Sequence, residues 1–458
     1  MVKKKNVYNL IIFFTTMLIV LANSVSNSMF FQEMFIFELV YLLCSTVFFL
    51  LPEKSFNLPC MIFRITAFIR YVILPVLVYK EGEVRYYFEF QVRMIMIIEI
   101  IMVHVIILFY YQSKLYRKKI RANEISINTS NPDIIPMRLG LMTIAVAVIG
   151  MLVLLQNPML LTNYFVFSFS KKSVSGLSGG GAILLQISIL FALIYLLTIV
   201  KKNRFFPDSI KILISFILVV IYANGKGVTA ENVSRWGVLV SIITGIVFIF
   251  SLYPKAKKTV SVLTFLIVPL VVLSSTLLKQ EMWGSTSSGI ENVLSVSSIN
   301  GYFSGSLNIE KGLALLDSVN IDKSKTLFQD TFANFPMLNH LIDTSETTAT
   351  HFNQVFYGSN IARDQICPMI IQFKEYFGVF GFIAYGIIVF LGLHFHTIST
   401  TKRILLEKNI FIILTFYFSL VFCLNWSILL EVIWIQVLPL LLVNYFNIKV
   451  KSRGAKSE

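Results

Sequence analysis

The chain has 458 residues, is 56% hydrophobic and 14% charged, and carries a formal net charge of +15. A soluble protein of this length cannot bury so much apolar surface in ordinary domains, and a membrane β-barrel would alternate apolar and polar residues in segments of roughly ten, a pattern not seen here. The basic balance does not indicate nucleic acid, because the lysines and arginines concentrate in short loops between apolar runs, as in loops that face the cytoplasm. The four cysteines, Cys44, Cys60, Cys367 and Cys423, show no metal-ligand spacing and predict no structural disulfide.

Apolar runs near 20 residues match a hydrocarbon core about 30 Å thick at 1.5 Å per helical residue. The expected fold class is therefore all-α, a polytopic membrane protein with about twelve spans: 8–22, 30–51, 60–79, 91–111, 138–155, 181–200, 209–224, 236–253, 259–278, 376–395, 409–424 and 428–446. Lys3, Lys4 and Lys5 before the first apolar run resemble a signal peptide, with Ala22-Asn23-Ser24 as a mimic of a cleavage site. The run is long for such a leader and is read as an uncleaved first span. With the N-terminus inside, segments 1–7, 52–59, 112–137, 201–208, 254–258, 396–408 and 447–458 face the cytoplasm and hold more than half of the Lys and Arg. Lys114, Arg117, Lys118, Lys119 and Arg121 are the strongest orientation marker. Both termini are then cytoplasmic. The chain divides into a membrane domain at 1–278, one large external loop at 279–371, and a second membrane domain at 372–458 that ends in a basic cytoplasmic tail.

Three external stretches follow. The glycine run ending at Gly181 reads as a loop or re-entrant turn without chemistry, or as a place where the backbone approaches a ligand. Residues 225–235 bring Lys226 and Arg235 to the outer surface. In the long loop, the Leu and Phe positions around Lys311–Phe335 predict short helices packed on the membrane surface. No P-loop or dinucleotide-binding glycine pattern is present, which argues against a built-in ATPase.

Ionisable groups inside spans are costly and face a cavity or one another. Arg70 in span 3 and Glu99 in span 4 both lie roughly 12–15 Å from the outer ends of their spans, which a short external loop joins, so they are expected to pair or to share a water-filled cavity. Glu38 has a similar depth and is the alternative partner. Arg64, near the cytoplasmic end, is expected to snorkel. His104 reads first as a hydrogen-bonded structural histidine and second as a proton relay, and Glu431 as an interfacial residue beside Trp434. These charges suit a transporter as well as an enzyme.

The residues best suited to chemistry lie outside the spans. Arg235 opens a span; its guanidinium can fork onto phosphate oxygens, or it is an interfacial anchor beside Trp236. Arg363 and Asp364 read as an internal ion pair. His351 and His340 are candidate general bases near neutral pH, or plain surface residues. Gly301-Tyr-Phe-Ser-Gly305 can stack on sugar rings or simply make a turn. The stretch His351–Gln372, just before the chain re-enters the membrane, is the first to mutate.

Many spans, one large external loop late in the chain, and then Lys374-Glu-Tyr-Phe-Gly-Val-Phe-Gly-Phe-Ile-Ala-Tyr-Gly386 resemble the bacterial O-antigen and capsular polysaccharide polymerases, the Wzy-type oligosaccharide repeat-unit polymerases. Glu375, Tyr376, Phe377, Gly378 and Gly381 are similar to that family's pattern in a slightly different order; Val233-Ser-Arg-Trp-Gly237 resembles its short Ser-Arg element, and Asn308 lies in a family-like loop region. The resemblance implies a membrane-embedded glycosyltransferase of the GT-C type in the bacterial cytoplasmic (inner) membrane. It would move a glycan from undecaprenyl diphosphate onto a fresh lipid-linked repeat unit at the outer face, with a flippase and a chain-length regulator as accessory partners. No cofactor and no metal are expected, and the chain has no Asp-x-Asp. On this reading Arg235 and then Arg363 meet the departing diphosphate. His351, followed by Asp364 and His340, takes the acceptor's proton. The rivals are a lipid-linked oligosaccharide flippase, which would not need about 90 residues of loop, an O-antigen ligase-like enzyme of the same fold, and a non-enzymatic assembly protein.

Overall fold

The computed structural model describes residues 4–24, 29–52, 57–81, 89–113, 116, 135–137, 140–165, 179–226, 235–256, 258–264, 266, 296–318, 322–336, 338, 341–358 and 365–454. Among them every long element is helical; Ile135 and Ile404 form an isolated bridge. In order these are α1 (Lys4–Ser24), α2 (Met29–Ser45), α3 (Leu58–Phe68), a π-helical turn (Ile69–Ile73), α4 (Leu74–Glu81), α5 (Phe90–Gln112), α6 (Leu141–Gln156), α7 (Met159–Phe165), α8 (Gly179–Lys202), α9 (Asp208–Lys226) and α10 (Arg235–Leu252). The former loop region contributes α11 (Val296–Phe303), α12 (Ser306–Ser318), α13 (Lys323–Phe332), α14 (Thr348–Tyr357) and α15 (Met369–Phe377). The chain ends with α16 (Gly381–Thr401), α17 (Leu405–Ser419), α18 (Trp426–Val432), a second π-helical turn (Ile433–Val437) and α19 (Leu438–Gly454).

Among the described residues six stretches are long and apolar enough to cross a membrane: Leu58–Val78, Phe90–Gln112, Ile183–Lys202, Asp208–Gly225, Met369–Thr401 and Trp426–Asn447. Four shorter apolar helices, Asn9–Ala22, Phe35–Leu50, Leu141–Gln156 and Gly237–Leu252, fall on four further expected spans. The protein is thus an all-helical membrane protein. Of the other two expected spans, that at 259–278 lies mostly outside the described residues. That at 409–424 is helical only to Ser419; residues 420–425 then turn, and all six are buried.

The chain forms two compact units, one of 1–129, 293–398 and 414–434, the other of 130–292, 399–413 and 435–458. In the first, Asn57 caps α3, its side chain accepting from Cys60 N, and Pro59 occupies the first turn, where a missing N–H costs nothing. Helices α3 and α5 run antiparallel. Asn57 Nδ2 donates to Tyr111 Oη at 2.6 Å near one end, and the Tyr71 hydroxyl meets Met96 O and Glu99 farther along. Helix α16 runs parallel to α5, since Tyr385 meets Glu99 and Thr397 meets Tyr110. Asn9 joins the end that holds Asn57, donating to Phe48 O at 3.1 Å. Here one expectation fails: Arg64 does not snorkel. It is buried, binds the Asn9 side chain and carbonyl, and lies 4.5 Å from the centre of the Phe48 ring.

Helices α11 to α15 gather at the opposite end of this unit. Gly305 sits against the Leu74 side chain, and Glu310 of α12 is near enough to the start of α5 to feel Glu89. Burial pushes the Glu310 carboxyl up, Lys311 pulls it down and Glu89 adds to the rise. The predicted short surface helices are therefore present, and they form a folded cap over the ends of α4 and α5. Gly301–Phe303 end α11, and Ser304, with φ of +46°, turns the chain into α12. Gly378, with φ of +59°, ends α15 in a conformation that disfavours side chains, and a 3₁₀ turn over Gly378–Phe380 leads into α16. At 21 residues, α16 alone is about as long as the hydrocarbon core is thick.

The second unit packs through small residues. A Cβ on Gly150 would fall 2.0 Å from Ser188 Oγ, and one on Gly245 would fall 2.3 Å from Val219 Cγ1, so α6 approaches α8, and α9 approaches α10, closely. The Ser188 hydroxyl lies 2.8 Å from both Val146 O and Leu184 O. Asn447 of α19 donates to Thr143 Oγ1 at 2.6 Å. The glycines before span 6 make no separate loop at their end: Gly179–Gly181 form the first turn of α8.

Gly150→Leu forces the α6–α8 contact apart. The expected loss is about 1–3 kcal/mol, read as a lower melting temperature of the detergent-solubilised protein.

Candidate functional site

The first unit holds two buried polar centres. The first is the expected intramembrane pair: Arg70 Nη2 lies 2.9 Å from Glu99 Oε2, and both side chains are buried. A π-helical turn carries Arg70, a local widening of the helix that occurs often at functional positions. The Tyr71 hydroxyl donates to Glu99 Oε2 at 2.9 Å, and Tyr385 donates to Oε1 at 2.8 Å from α16. The guanidinium lies 5.5 Å from the Tyr71 ring centre and 5.3 Å from that of Phe422, a distance at which ring faces stabilise a cation. Glu99, not Glu38, is thus the partner of Arg70. Phe422 belongs to the buried turn at 420–425; backbone that leaves the helix at this depth is tolerated because protein surrounds it. His104 is structural in its contacts: Nδ1 sits 2.8 Å from Ile100 O, and the ring meets Tyr41 and Phe48 edge-on.

The second centre is in the cap, around Asp330 of α13. Thr348 N donates to its Oδ1 at 3.2 Å, Gln372 Nε2 donates to Oδ2 at 3.1 Å, and the Tyr376 hydroxyl donates to the same oxygen. One carboxylate therefore ties α13, α14 and α15 together. Burial pushes the Asp330 carboxyl up, and the donors from Thr348, Tyr376 and Gln372 oppose that rise. Gln372 and Tyr376 reach the same oxygen because residues four apart share a helix face. The Gln372 amide oxygen accepts from Trp426 N at 2.8 Å, satisfying a free N–H in the first turn of α18. Trp426 Nε1 donates to Thr331 Oγ1 at 3.1 Å and Trp434 Nε1 to Thr331 O at 2.9 Å, so α18 and the turn after it are fastened to the cap.

Glu375 lies between these anchors. It is 2% exposed, and neither carboxyl oxygen has a hydrogen-bond partner among the described residues. The charges that act on it are those of Asp330 and Lys323. A buried polar group without a partner costs roughly 1–3 kcal/mol and more when charged. Elsewhere in the cap, Asn300 donates to Asn308 at 2.5 Å and Asn308 to Ile366 O at 3.0 Å, which fixes the α11–α12 turn against the segment before α15.

The structure places the other candidates less closely. His351 is on α14, one turn after Thr348; its side chain is 17% exposed and Nε2 stands 4.0 Å from Glu346 Oε2. Arg235 is the first residue of α10, but its side chain lies outside the described residues, as do Arg363, Asp364 and His340 entirely. Asp330 and Gln372 have roles the sequence did not show, and Glu375 and Tyr376 enter the sequence reading only as members of the Glu-Tyr-Phe-Gly pattern. The local signal for the pair was present: Gln372 and Tyr376 are four apart on one helix and so share a face.

Between α5 and α16 an open apolar groove of about 730 Å³ is lined by Met102, Ile106, Phe109, Ile383, Gly386 and Phe390, among others. Gly386 makes the recess, since a Cβ there would fall 2.9 Å from Ile106 Cδ1.

Two outcomes are expected. Arg70→Ala and Glu99→Gln each strand a buried partner and cost about 3–5 kcal/mol, while the double variant loses less than the sum when thermal unfolding is followed for all three proteins. Asp330→Asn turns an amide N–H toward groups that already donate; about 1–3 kcal/mol is lost, and limited proteolysis cuts the cap faster than in the wild type. No protein-family model matches the chain, and neither a curated protein nor a solved structure matches it.

Proposed function

We propose that this chain is a membrane glycosyltransferase of the GT-C type that polymerises lipid-linked oligosaccharide repeat units. The observation that carries this reading is the folded cap: helices α11 to α15 bury the carboxyl groups of Asp330 and Glu375 where a transporter needs only a connection. Glycan transfer requires such groups. The acceptor hydroxyl attacks C1 of the donor glycan, its proton passes to a base, and the C1–O bond to the lipid diphosphate breaks. The leaving diphosphate gains negative charge, which cations aimed at it stabilise. Arg235 and Arg363 are the candidates for that task, and His351, Asp364 and His340 are candidates for the base. The groove between α5 and α16 is open and apolar, which suits the polyprenyl tail.

On this reading the protein lies in the bacterial cytoplasmic membrane with the cap outside and both termini inside. Undecaprenyl-diphosphate-linked oligosaccharides are its substrates. Leu341→Cys, at an exposed cap position in a chain whose Cys60, Cys367 and Cys423 are buried, is expected to react with an impermeant maleimide added outside the cells. Labelling only after the membrane is opened would reverse the orientation.

Deletion in the native host is expected to collapse the surface-glycan ladder, seen on a sizing gel, to a single repeat unit. Arg235→Ala at normal protein level keeps it collapsed. Loss of all surface glycan with lipid-linked units trapped inside would identify a flippase instead, and a full ladder in the deletion strain would refute the polymerase.

A further inference from the structure

The buried carboxyls of the first unit treated above differ in one respect. Glu99 is met by Arg70, Tyr71 and Tyr385, and Asp330 by Thr348, Gln372 and Tyr376. Glu375 is met by no donor on either oxygen among the described residues, although it is 2% exposed. Gln372 and Tyr376 on either side of it are bound to Asp330, so the stretch of α15 that carries the carboxyl is fixed to α13. The helix ends two residues later at Phe377, where Gly378 breaks the chain before the long membrane helix α16. Glu375 is therefore an acceptor held at the junction of cap and membrane helix, with its hydrogen-bonding capacity unspent among the described residues.

We propose that Glu375 is the catalytic base of the glycan transfer, receiving the proton of the acceptor sugar hydroxyl. This rests on the polymerase reading. The hydroxyl of a lipid-linked repeat unit supplies the donor that the carboxyl lacks. As the hydroxyl oxygen forms its bond to C1 of the donor glycan, its proton moves to Glu375, and the C1–O bond to the lipid diphosphate breaks with its electron pair passing to the diphosphate. Glu375 then returns the proton to water, so the net change is one new glycosidic bond, one free lipid diphosphate and one released proton. Asp330 is a positioning residue in this scheme: it touches no reacting atom and holds the helix that carries the base. The charged or titratable groups that act on Glu375 or feel it are Asp330, Lys323, Cys367 and Tyr376. His351, part-exposed and beside Glu346 at 4.0 Å, is not needed as the base.

The test uses the full-length protein, purified in detergent, and the lipid-diphosphate-linked repeat units that accumulate in the deletion strain. Glu375→Gln is expected to lower kcat about 100-fold or more, the usual scale for loss of a general base, with KM changed less than about threefold. Its melting temperature should not fall, because the substitution removes an unpaired acid and keeps the shape. The low-pH limb of the wild-type rate profile, where the base is protonated, should vanish in the variant. Glu375→Asp, which keeps the carboxylate but shortens its reach, should retain a measurable rate and the limb. If Glu375→Gln fails to fold, the retained limb in Glu375→Asp decides, and its absence overturns the assignment. A Glu375→Gln protein that elongates the units at more than about a third of the wild-type rate overturns the base while the polymerase reading stands. Folded wild-type protein that does not elongate them overturns both.

Discussion

Glu99 is the point on which the membrane part of the first unit depends. An ionised carboxylate in an apolar bundle is stable only when its charge and its lone pairs are met, because the low dielectric makes every unmet group expensive. Arg70 meets the charge, and hydroxyls from Tyr71 and Tyr385 take further lone pairs. Those three residues come from the π-helical turn after α3 and from α16, so one side chain fixes how α3, α5 and α16 lie against each other. The aromatic faces of Tyr71 and Phe422 complete the surroundings of the guanidinium without adding a second anion.

The cap repeats this logic outside the bundle. Asp330 does for α13, α14 and α15 what Glu99 does for the membrane helices, with neutral donors in place of an arginine. Three neutral donors do not fully repay the burial, which is why its carboxyl sits above the usual range. Against these two saturated acids, Glu375 is an exception built into the same helix as two of the Asp330 donors. A fold that can satisfy Asp330 with Gln372 and Tyr376 has donors to offer, and among the described residues it offers none to the residue between them.

What could be read in the sequence follows from how local the determinants are. The helices of the membrane part were legible because apolar length alone specifies them. The Arg70–Glu99 pair was legible because two ionisable groups at equal depth on spans joined by a short loop have few other options. Arg64 was misread because its partner, Asn9, is 55 residues earlier and offers an amide where bulk water was assumed. The turn at 420–425 was misread for a different reason: Leu-Val-Phe-Cys-Leu is as apolar as a span, and apolar character does not separate a buried turn from a helix. The signal lay just beyond it, in Asn425, whose side chain accepts from Ile428 N and starts α18. Asp330 was not legible at all. An acid in a loop is normally solvated, and its burial depends on residues 348, 372 and 376 arriving from distant parts of the chain.

The buried turn also explains why the two polar centres are not independent. Phe422 packs on Tyr71 and on the guanidinium of Arg70, while three residues later Asn425 starts the helix whose first N–H is taken by Gln372 of the Asp330 cluster. A turn at that depth cannot be satisfied by water, so its geometry has to be fixed by protein at both ends. The intramembrane charge pair supplies one end, through ring contacts, and the cap supplies the other, through Gln372 and Thr331. The cap is therefore more than a loop resting on the bundle. Its helices complete the hydrogen bonding of a chain segment that reaches down to Arg70, and the carboxyl of Glu375 is held where that segment, the cap and the start of α16 converge.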